Sequence, residues 1–183
     1  MTLYRNKYRV ESTRLPSRDY AANGLYFITI CTDKRRHFFG NIQEFAMQLS
    51  DVGKIAEQFW LEIPNHFQHT NIDSFVIMPN HVHGIIIIDK LDNDNIVHSR
   101  NVPDESNQFG GLKPGSLQTI IHSYKSSVTR WCGKNGYENF RWQPRFYENI
   151  IRADSSLDNV RKYINNNPIK WEYDKDNKPN LWM

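Results

Sequence analysis

The sequence predicts an α+β fold in which helices pack on one face of a ferredoxin-like antiparallel sheet. Segments rich in β-branched and aromatic residues alternate with amphipathic segments in the order strand, helix, strand, strand, helix, short strand, helix. The densest apolar run, residues 75–88, is interrupted only by Pro79-Asn80, which predicts two buried strands joined by a tight connection. A length of 183 residues suits a single domain.

The first part of the chain contains a basic arm and the first strand. Residues 1–24 are basic and irregular, and we interpret them as an N-terminal arm. Residues 25–32, L-Y-F-I-T-I-C-T, have the composition of a central strand, and a polar, basic turn follows at residues 33–36. Residues 38–48 fit either a short strand or a loop.

Two of the helices are predicted from apolar residues at helical spacing. The first covers residues 51–63 and is expected to end at Pro64. Its apolar positions are Val52, Ile55, Ala56, Phe59 and Ile63. The second begins after Ser116, the expected N-cap, and ends at the glycines of residues 133–136. Its buried positions are Leu117, Ile121, Tyr124, Val128 and Trp131.

The third predicted helix begins at Asp154-Ser155 and stops at Pro168, with Leu157, Val160 and Ile164 as its core positions. Tyr163 and Asn167 are four residues apart and therefore lie on the same side of this helix. Read alone, Tyr163 is a rim residue with its hydroxyl in water, and Asn167 is a helix-terminating residue before proline. Alternatively, both side chains reach into a site beside the helix.

The remaining segments are predicted to be loops, short strands and a tail. Residues 89–112 are polar and rich in Asp and Asn, which predicts a long mobile loop. Residues 140–143 and 147–151 fit either short strands or extended segments around Pro144. Residues 172–183 form a tail rich in charge, Asn and Pro.

Composition excludes some protein classes. No apolar run approaches the ~18 residues of a membrane-spanning helix, and the N-terminal residues lack the apolar core of a signal peptide. The two cysteines, Cys31 and Cys132, lie in different contexts and indicate a reduced setting. We therefore expect a cytoplasmic protein without membrane association.

The charges are unevenly distributed although the net charge is only +3. Residues 1–36 carry eight Lys or Arg against three Asp or Glu, and residues 113–145 carry six against one. Residues 89–106 carry two against five. The pattern fits a polyanion bound on one side, and it equally fits an ordinary solvated surface.

His81 and His83 stand at the start of the second strand in the apolar run. Strand side chains alternate between faces, so both imidazoles project from one face, close enough to hold one metal ion. Gly84 follows and has no side chain to block an approaching ligand or backbone. The His-x-His pattern alone is unspecific, since two polar residues at a strand end give the same pattern.

Four motifs occur in one order along the chain: F-V-I-M-P-N-H-V-H-G, S-Y-K-S-S-V-T-R-W, W-Q-P-R-F-Y-E-N-I-I-R and Y-I-N-N-N-P-I-K-W. With the opening G-L-Y-F-I-T-I-C-T, this order resembles the single-tyrosine HUH transposases, in which U is a hydrophobic residue, and especially the REP-associated tyrosine transposases. The resemblance covers residues 24–171 and rests on the motifs together, because each alone is unspecific.

The resemblance implies roles for four residues. His81 and His83 match the histidines that bind a divalent metal, and Tyr163 matches the helix tyrosine that attacks a DNA phosphate. Asn167 stands where relatives place a polar third ligand. The oxygen ligand and the phosphate substrate suit Mg²⁺ or Mn²⁺, while imidazoles alone would also accept Zn²⁺ or Ni²⁺.

Two positions depart from the family pattern. Asn149 stands where similar sequences often carry His, so its role as a possible site residue stays open. Tyr147 is a rival nucleophile because family members differ around it. The helix and the ligand spacing favour Tyr163 over Tyr147.

The resemblance thus implies a single-stranded DNA endonuclease and strand transferase with a 5′-phosphotyrosine intermediate. Its partner would be single-stranded or hairpin DNA, bound by a monomer or a homodimer. The candidate phosphate contacts are the basic arm, Arg35, Arg36, Lys125 and Arg145. Two alternatives stay open: a non-catalytic nucleic-acid-binding module on the same fold, and a metal-dependent phosphodiesterase that uses water.

Overall fold

The computed structural model describes residues 3–4, 7–8, 22–90, 113–152 and 154–173. The strands are β1 (Leu3–Tyr4), β2 (Lys7–Tyr8), β3 (Gly24–Cys31), β4 (Gly40–Gln43), β5 (Ala46–Leu49), β6 (Thr70–Met78), β7 (His81–Ile88) and β8 (Tyr147–Ile151). The helices are α1 (Asp51–Leu61), α2 (Ile63–His66), α3 (Leu117–Lys134) and α4 (Asp154–Asn165), with 3₁₀ turns at Asp33–Arg35 and Trp171–Tyr173. The predicted arm, mobile loop and tail lie largely outside the described residues, so these three stay predictions.

The central sheet has the strand order β6-β7-β3-β8, and every pairing in it is antiparallel. Along the chain, its strands and the two long helices between them follow the order β3, α1, β6, β7, α3, β8. This is the ferredoxin-like βαββαβ pattern, which confirms the predicted fold class. Because β7 lies between β6 and β3, the histidine strand is central, as predicted.

Helices cover both faces of the sheet, which corrects the expectation of helices on one face. Tyr26, Ile28 and Ile86 point into the main core with α1 and α3. Phe27 and Ile85, in the alternating positions, point into a smaller core with α4. Apolar residues thus occupy both sets of alternating positions along β3 and β7, so each face has to be covered.

The first helix is shorter than predicted. α1 ends at Leu61, and Pro64 lies inside the separate short helix α2 instead of ending α1. Proline is tolerated there because the N–H groups of a first helical turn have no partner within the helix. Trp60, which the predicted apolar stripe left out, is fully buried and packs against Phe75 and Tyr124.

Gly84 faces the main core and makes room for Trp60, not for a ligand. A Cβ atom at Gly84 would lie 2.3 Å from Cζ2 of Trp60 and 3.0 Å from Cβ of Phe75. Gly84 alternates with His83 along β7 and therefore points away from the histidine face. The sequence predicted room for a ligand or a backbone, and the structure instead places a side chain there.

The later helices begin where the sequence predicts. Ser116 Oγ accepts a hydrogen bond from the N–H of Thr119, which confirms the N-cap of α3. α4 begins at Asp154 but ends at Asn165, before the predicted stop at Pro168. Proline disfavours the helical conformation in the preceding residue, so the helix gives way to turns in advance of it. The predicted core positions of α4 all pack into the smaller core: Leu157, Val160 and Ile164.

The two undecided segments take different forms. Within residues 38–48, β4 pairs with β5 as a hairpin. At residues 140–143, Trp142 makes an isolated bridge to Thr32, while residues 147–151 form strand β8. Among the described residues, no helix has both the length and the apolarity needed to cross a membrane.

Candidate active site

His81 and His83 form a buried pair on the α4 side of β7. Their ring centroids lie 4.3 Å apart, with the rings inclined at 66°. The two residues are 0% and 2% exposed. The alternation of side chains along β7 brings both imidazoles to one point on the sheet, as the sequence predicted.

A buried partner holds each histidine at its Nδ1 atom. His81 Nδ1 lies 2.8 Å from Oδ1 of Asn80, the residue before it in the β6–β7 connection. His83 Nδ1 lies 2.9 Å from the hydroxyl of Thr29, its partner across β3. Both rings are therefore oriented by neighbouring polar groups, an arrangement that tunes the basicity of metal-binding histidines.

Tyr163 of α4 reaches this pair. Its hydroxyl lies 3.3 Å from Nε2 of His83. Its ring packs edge-on against Phe27, which in turn stacks on the ring of His83. Tyr163 is nevertheless 42% exposed, so its ring is anchored on one side and accessible on the other.

An ion pair with β6 fixes the position of α4. Arg161 donates two hydrogen bonds to Asp73, from Nε at 2.9 Å and from Nη2 at 2.7 Å. The Arg161 guanidinium holds the pKa of the Asp73 carboxyl at about 2, below its usual value of 3.8. Two parallel charge-assisted bonds define geometry as well as energy, so this pair sets how α4 presents Tyr163 to the sheet.

Asn167 supplies an oxygen that fits a cation. It is 2% exposed, and its Oδ1 atom has no hydrogen-bond partner among the described residues. It lies in the turns that follow α4, four residues after Tyr163 and four before Trp171, whose ring is 6.0 Å from that of His81. A buried amide oxygen without a partner costs about 1–3 kcal/mol, a cost that a bound cation would remove.

The donor set is compatible with a divalent metal. In the described part of the chain, no group of three or more His, Cys, Asp or Glu side chains lies close enough to hold an ion. Among the described residues, a third protein ligand beside His81 and His83 would therefore be uncharged, and Asn167 is of that kind. Two imidazoles and one amide oxygen leave coordination positions open for phosphate oxygens and water.

Tyr147 and Asn149 share the face of the histidine pair but lie one strand further away. Tyr147 pairs with Thr29 across β3 and β8, and Asn149 pairs with Phe27. β3 separates β8 from β7, so the backbones of Tyr147 and His83 are about 10 Å apart, two strand spacings. Both β8 residues are exposed. The structure thus brings Tyr163, and not Tyr147, against the histidines.

Comparison with known proteins finds two relatives that match most of the chain. The chain is 40% identical over 167 residues to an uncharacterized protein of Haemophilus influenzae, covering 90% of this chain and 91% of that protein. It is 24% identical over 164 residues to the "Putative REP-associated tyrosine transposase" of the same organism, covering 85% of this chain and 76% of that protein. The chain is thus similar in sequence to a REP-associated tyrosine transposase, in agreement with the resemblance of its motifs.

A solved structure agrees with the fold. The structure of a REP-associated tyrosine transposase bound to a REP hairpin superposes with a TM-score of 0.55 at 20% identity, covering 96% of this chain and 77% of that one. No protein-family model matches the chain. At this identity, the structural likeness supports the shared ferredoxin-like architecture and leaves residue roles to be argued from the site itself.

Two of the predicted phosphate contacts, Arg35 and Arg36, lie in the turn beside the histidine strand. Arg35 and Arg36 follow β3 at the end where Cys31 pairs with His81. The Arg35 carbonyl accepts a hydrogen bond from Nδ2 of Asn80 at 3.2 Å. The backbone of this basic turn therefore supports the histidine strand, and the Arg36 side chain is exposed beside it.

The other two predicted contacts lie at α3. Lys125 Nζ donates hydrogen bonds to the carbonyls of Gln143 and Arg145, at 2.8 and 2.9 Å. Burial lowers the pKa of Lys125 to about 8. Lys125 thus ties the segment before β8 to α3, a structural role that the sequence did not indicate. Arg145 is exposed at the same place.

Three residues that contact the histidine pair were missed by sequence reasoning. Asn80 was interpreted only as part of a turn, although it precedes His81 directly. Thr29 is a polar residue in an otherwise apolar strand, which was an available signal. Trp171 is 7% exposed and lies against His81 and His37, a position that no local sequence pattern indicated.

Proposed function

We propose that this protein nicks and rejoins single-stranded or hairpin DNA through Tyr163, with Mg²⁺ or Mn²⁺ held by His81, His83 and Asn167. Similarity to a REP-associated tyrosine transposase supports a transposase-like function. The covalent tyrosine mechanism, the metal and the DNA form are the proposed parts.

The contact between Tyr163 and His83 carries this proposal. A tyrosine hydroxyl has a pKa near ~10 and becomes a good nucleophile only after losing its proton. Here the hydroxyl is held 3.3 Å from Nε2 of His83. A metal held through Nε2 of His83 would replace this hydrogen bond. The contact places the hydroxyl beside the residues that would hold the metal, where a phosphate bound at the same place would come within its reach.

In the proposed step, the Tyr163 oxygen attacks a phosphorus of the DNA backbone. A P–O bond to tyrosine forms and the bond from phosphorus to the 3′-oxygen breaks. The phenol loses its proton and the departing 3′-oxygen gains one, which leaves a 5′-phosphotyrosine and a 3′-hydroxyl. The number of phosphoester bonds is unchanged, so a second 3′-hydroxyl can reverse the step and join strands without ATP.

A divalent cation, when bound, supplies Lewis-acid stabilisation to the scissile phosphate. The chain itself supplies preorganisation. His81, His83 and Asn167 are all buried, so their donor atoms are fixed by the fold before DNA arrives. The Arg161–Asp73 ion pair then sets the approach of Tyr163.

Hairpin DNA is the proposed partner. The REP-associated tyrosine transposase with the similar fold was solved with a REP hairpin bound. In this chain, Arg36 and the exposed Tyr147 flank the histidine face and offer a phosphate contact and a stacking ring. Unpaired bases beside a hairpin can stack on such rings, whereas bases within a duplex cannot.

Trapping the covalent intermediate tests the mechanism. The protein is incubated with a library of labelled single-stranded hairpins and Mn²⁺, and adducts are separated on a denaturing gel and mapped by peptide sequencing. We expect a phosphotyrosine at Tyr163 and no adduct from Tyr163→Phe, which removes one oxygen and keeps the ring. Tyr147→Phe is the matched control and should form the adduct normally.

Each other result contradicts the proposal in a distinct way. A phosphotyrosine at Tyr147 would transfer the nucleophilic role to that residue. Metal-dependent cleavage without an adduct would indicate the phosphodiesterase that uses water. Tight hairpin binding without cleavage of any library member would indicate the non-catalytic binding module.

A further inference from the structure

A basic cavity lies between α3 and the segment that leads into β8. Its volume is about 570 Å³, and its wall includes His122, Lys125, Arg130 and Arg145. Among the described residues, no Asp or Glu lines it. A concave wall with cations and without carboxylates concentrates positive potential, which attracts an anion.

The uncharged residues that line the cavity indicate which class of anion it would bind. Ser126 and Thr129 contribute hydroxyl groups, and Phe146 contributes an aromatic ring. Hydroxyl groups commonly contact DNA phosphates together with Lys and Arg. Aromatic rings provide the surface on which unpaired bases stack. Phosphate-binding groups beside an aromatic ring fit a nucleotide better than a bare inorganic anion.

The cavity wall is held in a strained conformation. Lys125 Nζ fixes the backbone carbonyls of Gln143 and Arg145 to α3. Arg145 has φ of 68°, in the left-handed region that few residues other than glycine adopt. Strained residues of this kind persist where surrounding contacts hold them, and they cluster at ligand-binding sites.

The cavity is linked to the histidine pair around the edge of the sheet. α3 packs on the face opposite the histidines, and β8 is the edge strand between the two sides. Arg145 precedes Tyr147 by two residues, and Tyr147 pairs with Thr29, which contacts His83. A flexible strand that crosses β8 can therefore occupy both places.

We propose that this cavity binds one nucleotide of the single-stranded segment flanking the hairpin. Arg130 and Arg145 hold its phosphate, and Phe146 lies against its base. The inference rests on the proposed function, because it takes DNA as the substrate. The volume lies within the range of small-molecule pockets and admits a nucleotide.

Charge-removing variants test the cavity in the full-length protein. Arg130→Gln and Arg145→Gln are compared with Lys54→Gln, which removes an exposed charge on α1 outside the cavity. Binding is measured between about 50 and 200 mM salt, on hairpins with and without flanking single strands. We expect each cavity variant to weaken binding of the flanked hairpin by roughly 5- to 20-fold at low salt. The blunt hairpin should show no such loss.

The salt dependence of DNA binding and the thermal stability of each variant distinguish the loss of a phosphate contact from misfolding. Each lost phosphate contact should reduce the slope of log affinity against log salt by about 0.7 on a single strand. Thermal unfolding identifies any variant that is no longer folded, and Arg130→Gln lies on a regular helix where backbone strain plays no part. Equal affinities and slopes for both cavity variants and Lys54→Gln would overturn the proposal.

A second experiment locates the phosphate. Neutral methylphosphonates are placed one at a time along the flanking strand. A methylphosphonate at one position should weaken binding by the wild-type protein and cause no further loss in Arg145→Gln. This result would show that both changes remove the same contact. Strictly additive losses at every position would contradict a strand phosphate in the cavity.

Measurements with free ligands and with His81→Ala test the cavity proposal independently of the proposed chemistry. Thermal stabilisation by millimolar inorganic phosphate or a deoxynucleoside monophosphate, without any effect of the flank, would make a free ion or nucleotide the ligand and overturn the strand proposal. His81→Ala should retain the flank-dependent binding. If wild type forms no tyrosine adduct but the cavity variants still lose flank binding, the proposed chemistry fails and the cavity proposal stands.

Discussion

The amide oxygen of Asn80 lies 2.8 Å from Nδ1 of His81, and both residues are 0% exposed. Nδ2 of the same amide donates to the carbonyl of Arg35, which fixes the orientation of the amide. Because an amide oxygen only accepts hydrogen bonds, Nδ1 of His81 must carry the proton. In a neutral imidazole the lone pair is then on Nε2, the state that a metal ligand requires.

Asn80→Ala should therefore weaken metal binding without touching a ligand. Loss of such an outer contact typically costs roughly 10- to 100-fold in metal affinity. Titration of the purified variant with Mn²⁺ measures this directly. Ile86→Ala is the control, since it creates a cavity in the same strand but on the opposite face and should leave Mn²⁺ affinity unchanged. Wild-type affinity in Asn80→Ala would refute the orienting role.

His81→Ala and His83→Ala should each abolish cleavage and metal binding while retaining most hairpin affinity. Phosphate contacts elsewhere supply most of the binding energy, so loss of one imidazole removes chemistry and not recognition. Cleavage, Mn²⁺ titration and hairpin affinity are measured on the same preparations. The control is His66→Ala, because His66 is an exposed residue of α2. Full cleavage by either histidine variant would eliminate the metal site.

Tyr163→Phe should bind Mn²⁺ at least as tightly as wild type. In the wild-type protein a metal must displace the tyrosine hydroxyl from Nε2 of His83. Because that hydrogen bond is worth about 0.5–1.5 kcal/mol, its removal should raise the Mn²⁺ affinity by up to roughly tenfold. Calorimetric titration in the absence of DNA measures the difference. Markedly weaker metal binding would show instead that the tyrosine oxygen is itself a ligand.

Protonation of Asp73 should loosen α4 at low pH. Its folded pKa is lowered from 3.8 to about 2, chiefly by the hydrogen bond from Arg161. A lowered carboxyl pKa contributes stability that is complete above pH 3.8 and is lost as pH falls through about 2. The difference in unfolding free energy between wild type and Asp73→Asn should thus be constant near neutrality and shrink between these values. A difference independent of pH would contradict the ion pair.

Gly84→Ala should destabilise the fold by about 1–3 kcal/mol, since overpacking forces neighbours to move. The added Cβ would meet Trp60, whose fluorescence reports the shift, at 2.3 Å. Gly133→Ala is the matched control because a Cβ there meets nothing within 4 Å. In α3 it should stabilise the protein by roughly 0.5–1 kcal/mol. Equal unfolding temperatures for the two variants would contradict the close packing of Gly84 on Trp60.

Local patterns were sufficient for the sheet and for the histidine pair. Alternation along β7 decides by itself that His81 and His83 share a face, because a strand has a period of two. Apolar spacing located α3 and α4, with Ser116 as a cap. The spacing of apolar residues was less informative about burial in a helix that is apolar on several sides. Trp60 was missed because α1 meets both the sheet and α3.

The sequence alone identified the residues that we propose carry the chemistry, since the motif residues stand out by their types and short-range spacing. Only the tertiary structure decided how they meet. Tyr163 and Tyr147 are both plausible in sequence, but α4 packs on the histidine face and holds Tyr163 against His83. The Arg161–Asp73 pair joins residues 88 positions apart, a separation at which no local periodicity operates. Contacts between residues so far apart in sequence depend on how helices pack on both faces of the sheet. No single segment of the chain encodes that packing.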